Sequence, residues 1–298
     1  MDSARVLVSG ASGLIGQAVV SVLRAEGYKI SRLTRSSQVQ AGDVQWDPSQ
    51  PLSAGLVSGF DAVVHLAGES IVGRWTESKK RRIRESRVLG TRNLAEALAK
   101  ASPRPSVLVC ASAVGYYGSR GDELLREESA SGHDFLSEVC REWEAAAKPA
   151  TDAGIRTLHT RFGLVLSRKG GALQKMLLPF RLGVGGRVGS GTQWWSWVDL
   201  QDVTGAMLHA LKSNLQGPVN FVAPNPVTNL EFTHVLGSVL ARPTIFPVPA
   251  FAARLAFGQM ADELLLASQR VEPVKLRESG YQFKFLDLRS ALEAILKH

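Results

Sequence analysis

Apolar and polar residues follow two different periods along the first half of the chain. Short apolar runs, typical of buried strands, occupy residues 6–8, 29–34, 44–46, 61–68, 106–112 and 155–166. The stretches at 14–23, 77–100 and 134–147 instead place apolar residues at the spacing of an amphipathic helix. Because strand and helix patterns alternate, we predict an α/β fold with a Rossmann-like, doubly wound parallel sheet.

The alternation of strand and helix patterns ends near residue 167, where a glycine-rich stretch begins. Glycines punctuate residues 170–191, and the Trp194, Trp195 and Trp197 side chains that follow favour the wall of a pocket. Further helices are predicted at 202–211, capped by Asp199 or Asp202, and at 231–240, 251–266 and 288–296, with a strand at 217–222. We expect a nucleotide-binding domain at 1–166, with a return segment at about 192–228, and a smaller C-terminal substrate lobe at 167–191 and 229–298.

The turn between the first strand and the first helix contains three glycines. Gly10 suits backbone angles closed to other residues, Gly13 lets the main chain approach a ligand, and Gly16 lets the helix press on the strand. The start of a helix also presents free N–H groups and a positive dipole end, which favour a pyrophosphate. The predicted cofactor-binding residues of this turn are Gly10, Ser12, Gly13, Leu14, Ile15 and Gly16.

The end of the second strand decides which dinucleotide is expected. A site for NAD usually has an Asp or Glu there to bind the ribose hydroxyls, but this chain has Thr34 followed by Arg35. A guanidinium offers a rigid set of donors to a 2′-phosphate, so we predict NADP(H) as the cofactor. Leu66, Ala67 and Gly68 are expected to line the adenosine side of the groove, and Asp47 is expected to accept from the adenine amino group.

Composition and charge restrict the classes of partner that the protein is expected to bind. The chain has 298 residues and a net charge of +8, but its densest basic cluster, at 79–87, is interleaved with Glu85 and follows Glu77, as on a solvated helix face. We therefore expect no nucleic acid. No run approaches the roughly 18 apolar residues of a membrane span, and the first strand leaves no room for a signal peptide, so we expect a cytoplasmic protein without a membrane partner. Two cysteines make a disulfide framework or metal site unexpected, and a homodimer is left open.

Several motifs resemble the extended short-chain dehydrogenase/reductase superfamily, the group of nucleotide-sugar epimerases and dehydratases. They are Gly10-Ala-Ser-Gly13-Leu-Ile-Gly16, His65-Leu-Ala-Gly68, Val88-Leu-Gly-Thr91 and Ser112-Ala-Val-Gly-Tyr116-Tyr-Gly118. Later segments are similar to an atypical branch catalogued as epimerase family proteins: Arg161-Phe-Gly-Leu-Val-Leu166, Pro179-Phe-Arg-Leu-Gly183, Gln193-Trp-Trp-Ser-Trp197 and Leu264-Leu-Leu-Ala-Ser-Gln-Arg-Val271. The resemblance spans nearly the whole chain and implies a Rossmann-like domain with NADP(H). The branch has a C-terminal region of unassigned function, and some members are labelled cell-division inhibitors.

The same resemblance implies a catalytic Ser, and a Tyr whose pKa is lowered by a Lys four residues later. Ser112 matches the serine at the end of the fifth strand. The expected Tyr and Lys fall on Leu136 and Cys140, and the Asn common before Val-x-Gly-Thr is replaced by Arg87. The usual proton pair is therefore not expected at its usual place.

Three explanations stay open. Tyr116 or Tyr117 could supply the acid or base, with Arg87 or Arg161 providing positive charge; we name Ser112 and Tyr116 as the candidate catalytic residues. A different reaction could use Glu69, Glu138 or His133 as base. The protein could also bind NADP(H) without turnover, as a redox-reading or interaction module. The first explanation predicts an oxidoreductase or epimerase-like enzyme acting on a small polar substrate.

Overall fold

A seven-stranded parallel sheet forms the centre of the molecule. The computed structural model describes residues 3–37 and 40–297. The predicted domains begin at residue 1 and end at residue 298, and these two residues lie outside the described ranges. The strands are β1 (Arg5–Ser9), β2 (Lys29–Thr34), β3 (Val44–Gln45), β4 (Ala62–His65), β5 (Val107–Ala113), β6 (Leu124–Leu125), β7 (Arg156–Phe162), β8 (Leu164–Leu166), β9 (Trp194–Trp195), β10 (Trp197–Asp199), β11 (Gly217–Phe221), β12 (Val227–Thr228) and β13 (Arg270–Val271). The order across the central sheet is β11-β7-β5-β4-β1-β2-β3.

Helices cover both faces of this sheet. They are α1 (Leu14–Ala25), α2 (Glu77–Lys100), α3 (Phe135–Ala146), α4 (Lys148–Asp152), α5 (Gly171–Arg181), α6 (Leu200–Lys212), α7 (Asn229–Leu240), α8 (Ala250–Phe257), α9 (Val274–Glu278) and α10 (Leu288–Lys297). Short turns of other helical type lie at Ala54–Val57, Val114–Tyr117 and Ala261–Leu265. The α/β class and the Rossmann-like parallel sheet predicted from the sequence are confirmed.

Alternate residues of each central strand enter two different cores. Val6, Val8 and Val64 pack with α1 and α6, whereas Leu7 and Val63 pack with α2 on the other side. This is the burial expected of parallel strands covered by helices on both faces, and it explains why the strands are almost continuously apolar. The α2 helix has its predicted bounds, because the Thr76 side chain accepts from the Lys79 N–H and caps it.

Two predicted elements are interrupted. The apolar run at 155–166 was expected to be one strand, but it divides at Gly163 into β7 of the central sheet and β8, which pairs with β10. A Cβ at Gly163 would overlap the Ser196 carbonyl oxygen, so the close backbone approach forces the change of sheet. The helix predicted at 251–266 ends at Phe257, because Gly258 adopts a φ of +61°.

The residues 167–191 and 229–297, here called the C-terminal lobe, form a further core together with Leu166, Trp195, Trp197, Ala223 and Val227. The stretch at 170–191 was expected to consist of glycine-rich loops, but it contains α5, whose Leu173, Leu177 and Phe180 are buried. Trp195 and Trp197 are buried in the same core, so the expectation of a tryptophan-lined pocket is wrong for these two. The predicted division into two domains stays a prediction.

The lobe packs against the carboxyl edge of the central sheet. Side-chain atoms of Leu14 lie 3.3 Å from where a Cβ of Gly170 would be. On the other side, the Leu136 N–H donates to Glu263 at 2.9 Å and the Gly73 N–H to the Met260 sulfur at 3.3 Å. These contacts bring the lobe against the start of α1, the loop that follows β4 and the start of α3.

Candidate cofactor and active site

The glycine turn after β1 leaves no room for side chains. Gly10 has a φ of +67°, and a Cβ there would lie 2.7 Å from the Leu66 carbonyl carbon. A Cβ at Gly16 would overlap the Gly10 carbonyl oxygen, while the Gly13 N–H donates to that same oxygen at 3.0 Å. Gly10 and Gly16 are therefore required by backbone packing, and with Gly13 they form a narrow reversal between strand and helix.

The start of α1 has no side-chain cap on its first N–H groups. Its cap residue is Gly13, which has no side chain to bond the first N–H groups, and the first turn contains no acidic residue. Ser12 and Gly13 are exposed, and the Ser12 carbonyl accepts from the Gln17 side chain at 2.8 Å. Free N–H groups at the positive end of a helix dipole, beside a glycine-lined space, fit the pyrophosphate of a dinucleotide.

A buried network of hydrogen bonds next to this turn links the end of β1 to the end of β4. Ser9 Oγ lies 2.6 Å from His65 Nδ1 and accepts from the Leu66 and Ala67 N–H groups at 3.1 and 3.3 Å. His65 Nε2 lies 3.0 Å from Thr91 Oγ1. Burial lowers the pKa of His65 to about 4, so the ring is neutral. The network holds the backbone of Leu66 and Ala67, which are predicted to line the adenosine groove with Gly68. His65 is not among the predicted site residues, although it begins the His65-Leu-Ala-Gly68 motif and ends a buried strand.

At the end of β2, Arg35 is exposed, as a phosphate-binding residue would be. The Thr34 hydroxyl accepts from the Ser36 N–H at 3.2 Å, which shapes the strand end. The charge of Arg35 contributes to lowering the pKa of Asp47, after the larger effect of the Ser49 hydrogen bonds. Asp47 Oδ1 accepts from both the Ser49 N–H and hydroxyl, so its predicted bond to an adenine amino group would need the other oxygen.

Ser112 lies at the carboxyl end of β5 but faces inward. It is 2% exposed, and its hydroxyl donates to Glu144 Oε1 of α3 at 2.7 Å. Since β1, β4 and β5 are adjacent and in register at Ser9, His65 and Cys110, Ser112 lies at the same sheet edge as the glycine turn. Its catalytic role stays a prediction, and the hydroxyl would have to turn from Glu144 to reach a substrate.

The two tyrosines after β5 are in different surroundings. Tyr117 is fully buried, donates to Asn220 Oδ1 at 2.7 Å and has a pKa raised to about 12, mainly by burial. Tyr116 is half-buried, and its hydroxyl makes no hydrogen bond with any residue in the described part of the chain. Of the two alternatives, Tyr116 is the one whose hydroxyl is left for a ligand.

Arg161 provides the positive charge beside Tyr116. Its guanidinium carbon lies 3.5 Å from the centre of the Tyr116 ring, and Nε and Nη2 bond both Glu144 oxygens at 2.8 and 2.9 Å. Burial alone would lower the pKa of Arg161, but the bonds and charge of Glu144 raise it, so the residue is permanently charged. Arg87, the other candidate, instead stacks on Trp143 at 5.0 Å and donates to the Glu69 carbonyl oxygen.

The positions matched to the superfamily Tyr and Lys are both interior. Leu136 is 7% exposed and Cys140 is 4% exposed on α3. Burial raises the pKa of the Cys140 thiol to about 12, so it stays protonated at neutral pH. Neither side chain is able to exchange protons with a substrate near neutral pH.

The three candidate bases, Glu69, Glu138 and His133, differ in whether an ion pair holds the side chain. Glu69 is paired with Lys79 at 2.7 Å, and this bond lowers its pKa. Glu138 is paired with Arg84 at 3.1 Å on the outer side of α3. His133 is exposed. Within residues 3–37 and 40–297, no group of His, Cys, Asp and Glu has the arrangement of a metal site.

A cavity of about 380 Å³ lies between the loop at residues 121–122 and the lobe. Its polar lining includes Asp122, Ser190, Thr192 and Gln193, and α8 contributes Ala250 and Arg254. Half-buried Trp194 stands close by, with its indole N–H donated to Asp122 at 2.7 Å and Arg270 stacked on its ring at 4.4 Å. This cavity offers hydrogen-bonding groups to a polar ligand, and sequence reasoning had not identified Asp122, Thr192 or Arg254.

Comparison with known proteins gives consistent matches. The model of the NAD dependent epimerase/dehydratase family matches residues 6–222, and that of a domain of unknown function, DUF1731, matches residues 248–295. The human epimerase family protein SDR39U1 is 38% identical over 297 residues, which are 98% of this chain and 99% of the relative. An epimerase family protein of Mycobacterium tuberculosis is 40% identical over 295 residues, covering 98% of this chain and 97% of the relative.

Solved structures match over the same extent. The crystal structure of human SDR39U1 (isoform 2) with NADPH has a TM-score of 0.91 and 37% identity, covering 99% of both chains. A nucleoside-diphosphate sugar epimerase from Corynebacterium glutamicum has a TM-score of 0.82 and 40% identity, covering 99% of this chain and 58% of that one.

Proposed function

Because the chain belongs to the NAD-dependent epimerase/dehydratase family, in the branch of epimerase family proteins with a DUF1731 domain, we propose that it is an NADP(H)-dependent oxidoreductase or epimerase-like enzyme. The observation that carries the proposal is the glycine turn: Gly10 and Gly16 are packed too tightly for a Cβ, and Gly13 leaves the start of the following helix without a side-chain cap. The human relative crystallised with NADPH, 37% identical over 99% of both chains, supports NADP(H) here.

The cofactor would lie along the carboxyl edge of the central sheet. Its pyrophosphate would bind the turn and the first N–H groups of α1, its 2′-phosphate Arg35 and Thr34, and its adenosine the groove formed by residues 66–68. The turn residues involved are Gly10, Ser12, Gly13, Leu14, Ile15 and Gly16. The absence of an acid in the first turn of α1 and the exposure of Arg35 fit a cofactor with this much negative charge.

When bound, the nicotinamide supplies or accepts a hydride at the substrate carbon. Tyr116 would exchange a proton with the substrate oxygen, because its hydroxyl makes no hydrogen bond within the described residues and the Arg161 guanidinium holds its ring in place. Ser112 would turn from Glu144 to bond the same oxygen. The small polar substrate would lie between the central sheet and the lobe, where the cavity beside Asp122 and Thr192 offers polar groups.

A second candidate function is NADP(H) binding without turnover. The burial of Leu136 and Cys140, and the protonated state of the thiol, favour it. Such a protein would report the redox state of the cofactor to an interaction partner.

Both functions are tested by one series of measurements. NADPH fluorescence is recorded on binding, and oxidation is then followed against a panel of carbonyl and sugar-nucleotide substrates. Tyr116→Phe and Ser112→Ala should abolish turnover with NADPH binding retained, while Tyr28→Phe, near the opposite edge of the sheet, should be unaffected. Binding without turnover across the panel supports the second function; failure to bind either nicotinamide cofactor refutes both.

A further inference from the structure

Nearly the whole net charge of the molecule lies in two segments of the C-terminal lobe. Residues 167–191 and 232–261 contain seven Lys and Arg and no Asp or Glu. The other 28 Lys and Arg of the chain are balanced by 27 Asp and Glu, so the two segments account for +7 of the net +8. Such a concentration of one sign creates a local field that selects an anionic partner.

The same two segments expose large apolar side chains. Of the large apolar residues exposed in the described part of the chain, nine lie here: Leu178, Leu182, Val184, Ile245, Phe246, Val248, Phe251, Leu255 and Phe257. Ile245, Phe251 and Leu255 are 72%, 72% and 77% exposed. Contiguous apolar patches of this kind mark interaction sites on folded proteins.

The two segments pack against each other at residues 181–188 and 242–248, which brings their exposed side chains onto neighbouring parts of the surface. Val188 and Val248 form a parallel bridge, and the Val248 N–H donates to the Arg187 carbonyl oxygen at 2.8 Å. The Arg242 side chain donates to the Arg181 carbonyl oxygen at 2.9 Å. We call this surface, formed by α5, α8 and residues 182–188 and 241–249, the basic apolar face.

Four of the five cations of this face make no ion pair within the described residues. Lys175 and Arg181 make no ion pair with any residue that the structure describes, and Arg187 and Arg242 donate only to carbonyl oxygens. Arg254 alone is paired, with Asp262 at 2.8 Å. The guanidinium and ammonium groups are therefore available to phosphate groups outside the protein.

We propose that the basic apolar face docks on the surface of a membrane rich in anionic phospholipids. The apolar residues of α8 would enter the boundary between headgroups and acyl chains, and the surrounding cations would bind the lipid phosphates. Side chains exposed by more than 70% on a helix project from the surface rather than line a groove, and a bilayer accommodates projecting side chains without a complementary shape. Since Ala250 and Arg254 also line the cavity, docking places the cavity beside the membrane.

This proposal differs from the expectation of no membrane partner. That expectation rested on the absence of an apolar run able to span a bilayer, and in the described residues no helix is long and apolar enough to do so. Docking on a surface needs no such run, only an exposed apolar area and positive charge.

Flotation with lipid vesicles tests the proposal on the full-length protein. It should float with vesicles of phosphatidylcholine and phosphatidylglycerol in equal parts, and not with phosphatidylcholine alone. The double variant Phe251→Ser/Leu255→Ser should weaken vesicle binding about tenfold or more, because two apolar anchors are lost. Lys175→Glu/Arg181→Glu should weaken it at least as much. The matched controls, Leu286→Ser for exposed apolar area and Arg24→Glu/Lys100→Glu for charge, should bind as the wild type does.

Four outcomes would overturn the proposal. They are no binding to either vesicle, equal binding to both, binding unchanged in Phe251→Ser/Leu255→Ser, and wild-type self-association in sedimentation that this double variant abolishes. The last would assign the face to a second copy of the chain. NADPH binding should be the same in every variant, which confirms folding and keeps the outcome separate from the proposed function.

Discussion

Arg161 and Tyr116 form the closest cation–aromatic contact in the described chain, with 3.5 Å between the guanidinium carbon and the ring centre. The same guanidinium bonds both oxygens of Glu144, and the two charged side chains are only 3% and 12% exposed. Arg161 therefore joins β7, α3 and the turn after β5, and it links the position of Tyr116 to the stability of the sheet edge.

Arg161→Gln should lower the free energy of unfolding by about 3–5 kcal/mol, because Glu144 would stay buried without its cation. Urea unfolding followed by circular dichroism measures the loss. Arg126→Gln breaks an ion pair whose arginine is 57% exposed and should cost less than about 1 kcal/mol. Equal losses in the two variants would contradict the role assigned to burial.

Gly16→Ala should prevent NADPH binding and destabilise the fold by about 1–3 kcal/mol, because the new methyl group overlaps the Gly10 carbonyl oxygen and separates helix from strand. Thermal unfolding with and without NADPH measures both effects. Gly55→Ala is the matched control, since the nearest atom to its Cβ is a Ser53 hydroxyl at 3.8 Å. Normal NADPH affinity in Gly16→Ala would show that the turn does not hold the cofactor.

Arg35→Ala should weaken NADPH binding by about tenfold or more and leave NADH binding nearly unchanged, because only NADPH carries the 2′-phosphate. Fluorescence titration with each cofactor gives the ratio. Arg24→Ala removes an equally exposed arginine from the end of α1 and should change neither affinity. Equal losses for the two cofactors would refute contact with the phosphate.

His65 should make the fold less stable as the pH falls from 6.5 towards 4. Its pKa is lowered by burial from 6.5 to about 4, so the unfolded chain binds more protons in this range. The lost stability amounts to about 3 kcal/mol at pH 4. Urea unfolding at several pH values, compared with His65→Gln, isolates the effect; parallel pH profiles for the two proteins would contradict it.

Asp199 should change the stability of the fold with pH in the opposite direction to His65. Burial raises its pKa from 3.8 to about 6, so the folded chain binds more protons and stability falls as the pH rises from 4 to 6. The Asp199 side chain caps α6 by accepting a hydrogen bond from the Gln201 N–H, and an Asn at this position keeps a cap. Asp199→Asn should therefore be more stable than the wild type at pH 7 by up to about 3 kcal/mol. A difference between the two proteins that does not change with pH would refute the shift.

Long periodic elements were predicted best from the sequence. The α2 helix has its predicted bounds, 77–100, since its pattern is long and its ends carry local signals. The family resemblance is confirmed, and the expectation of NADP(H) agrees with the cofactor named for the human relative. The cytoplasmic location, a homodimer and the roles of individual site residues stay predictions.

What could not be predicted depends on contacts between distant segments. The break at Gly163 follows from the Ser196 backbone, which is remote in sequence. Helix α5 was hidden because glycines surround a short apolar period. The inward direction of Ser112 follows from strand register and from Glu144 on α3, and no local pattern shows it.

The uneven distribution of charge gives the molecule a permanent electric dipole. Because about seven-eighths of the net charge lies in two neighbouring segments, an approaching negative surface exerts a torque that turns this end towards it before contact. In physiological salt the torque acts only when the two surfaces are within about 8 Å of each other. It therefore orients the protein in the last step of an encounter and does not attract it from a longer distance. The rate of productive collision, and not only the strength of the final contact, should therefore fall as ionic strength rises.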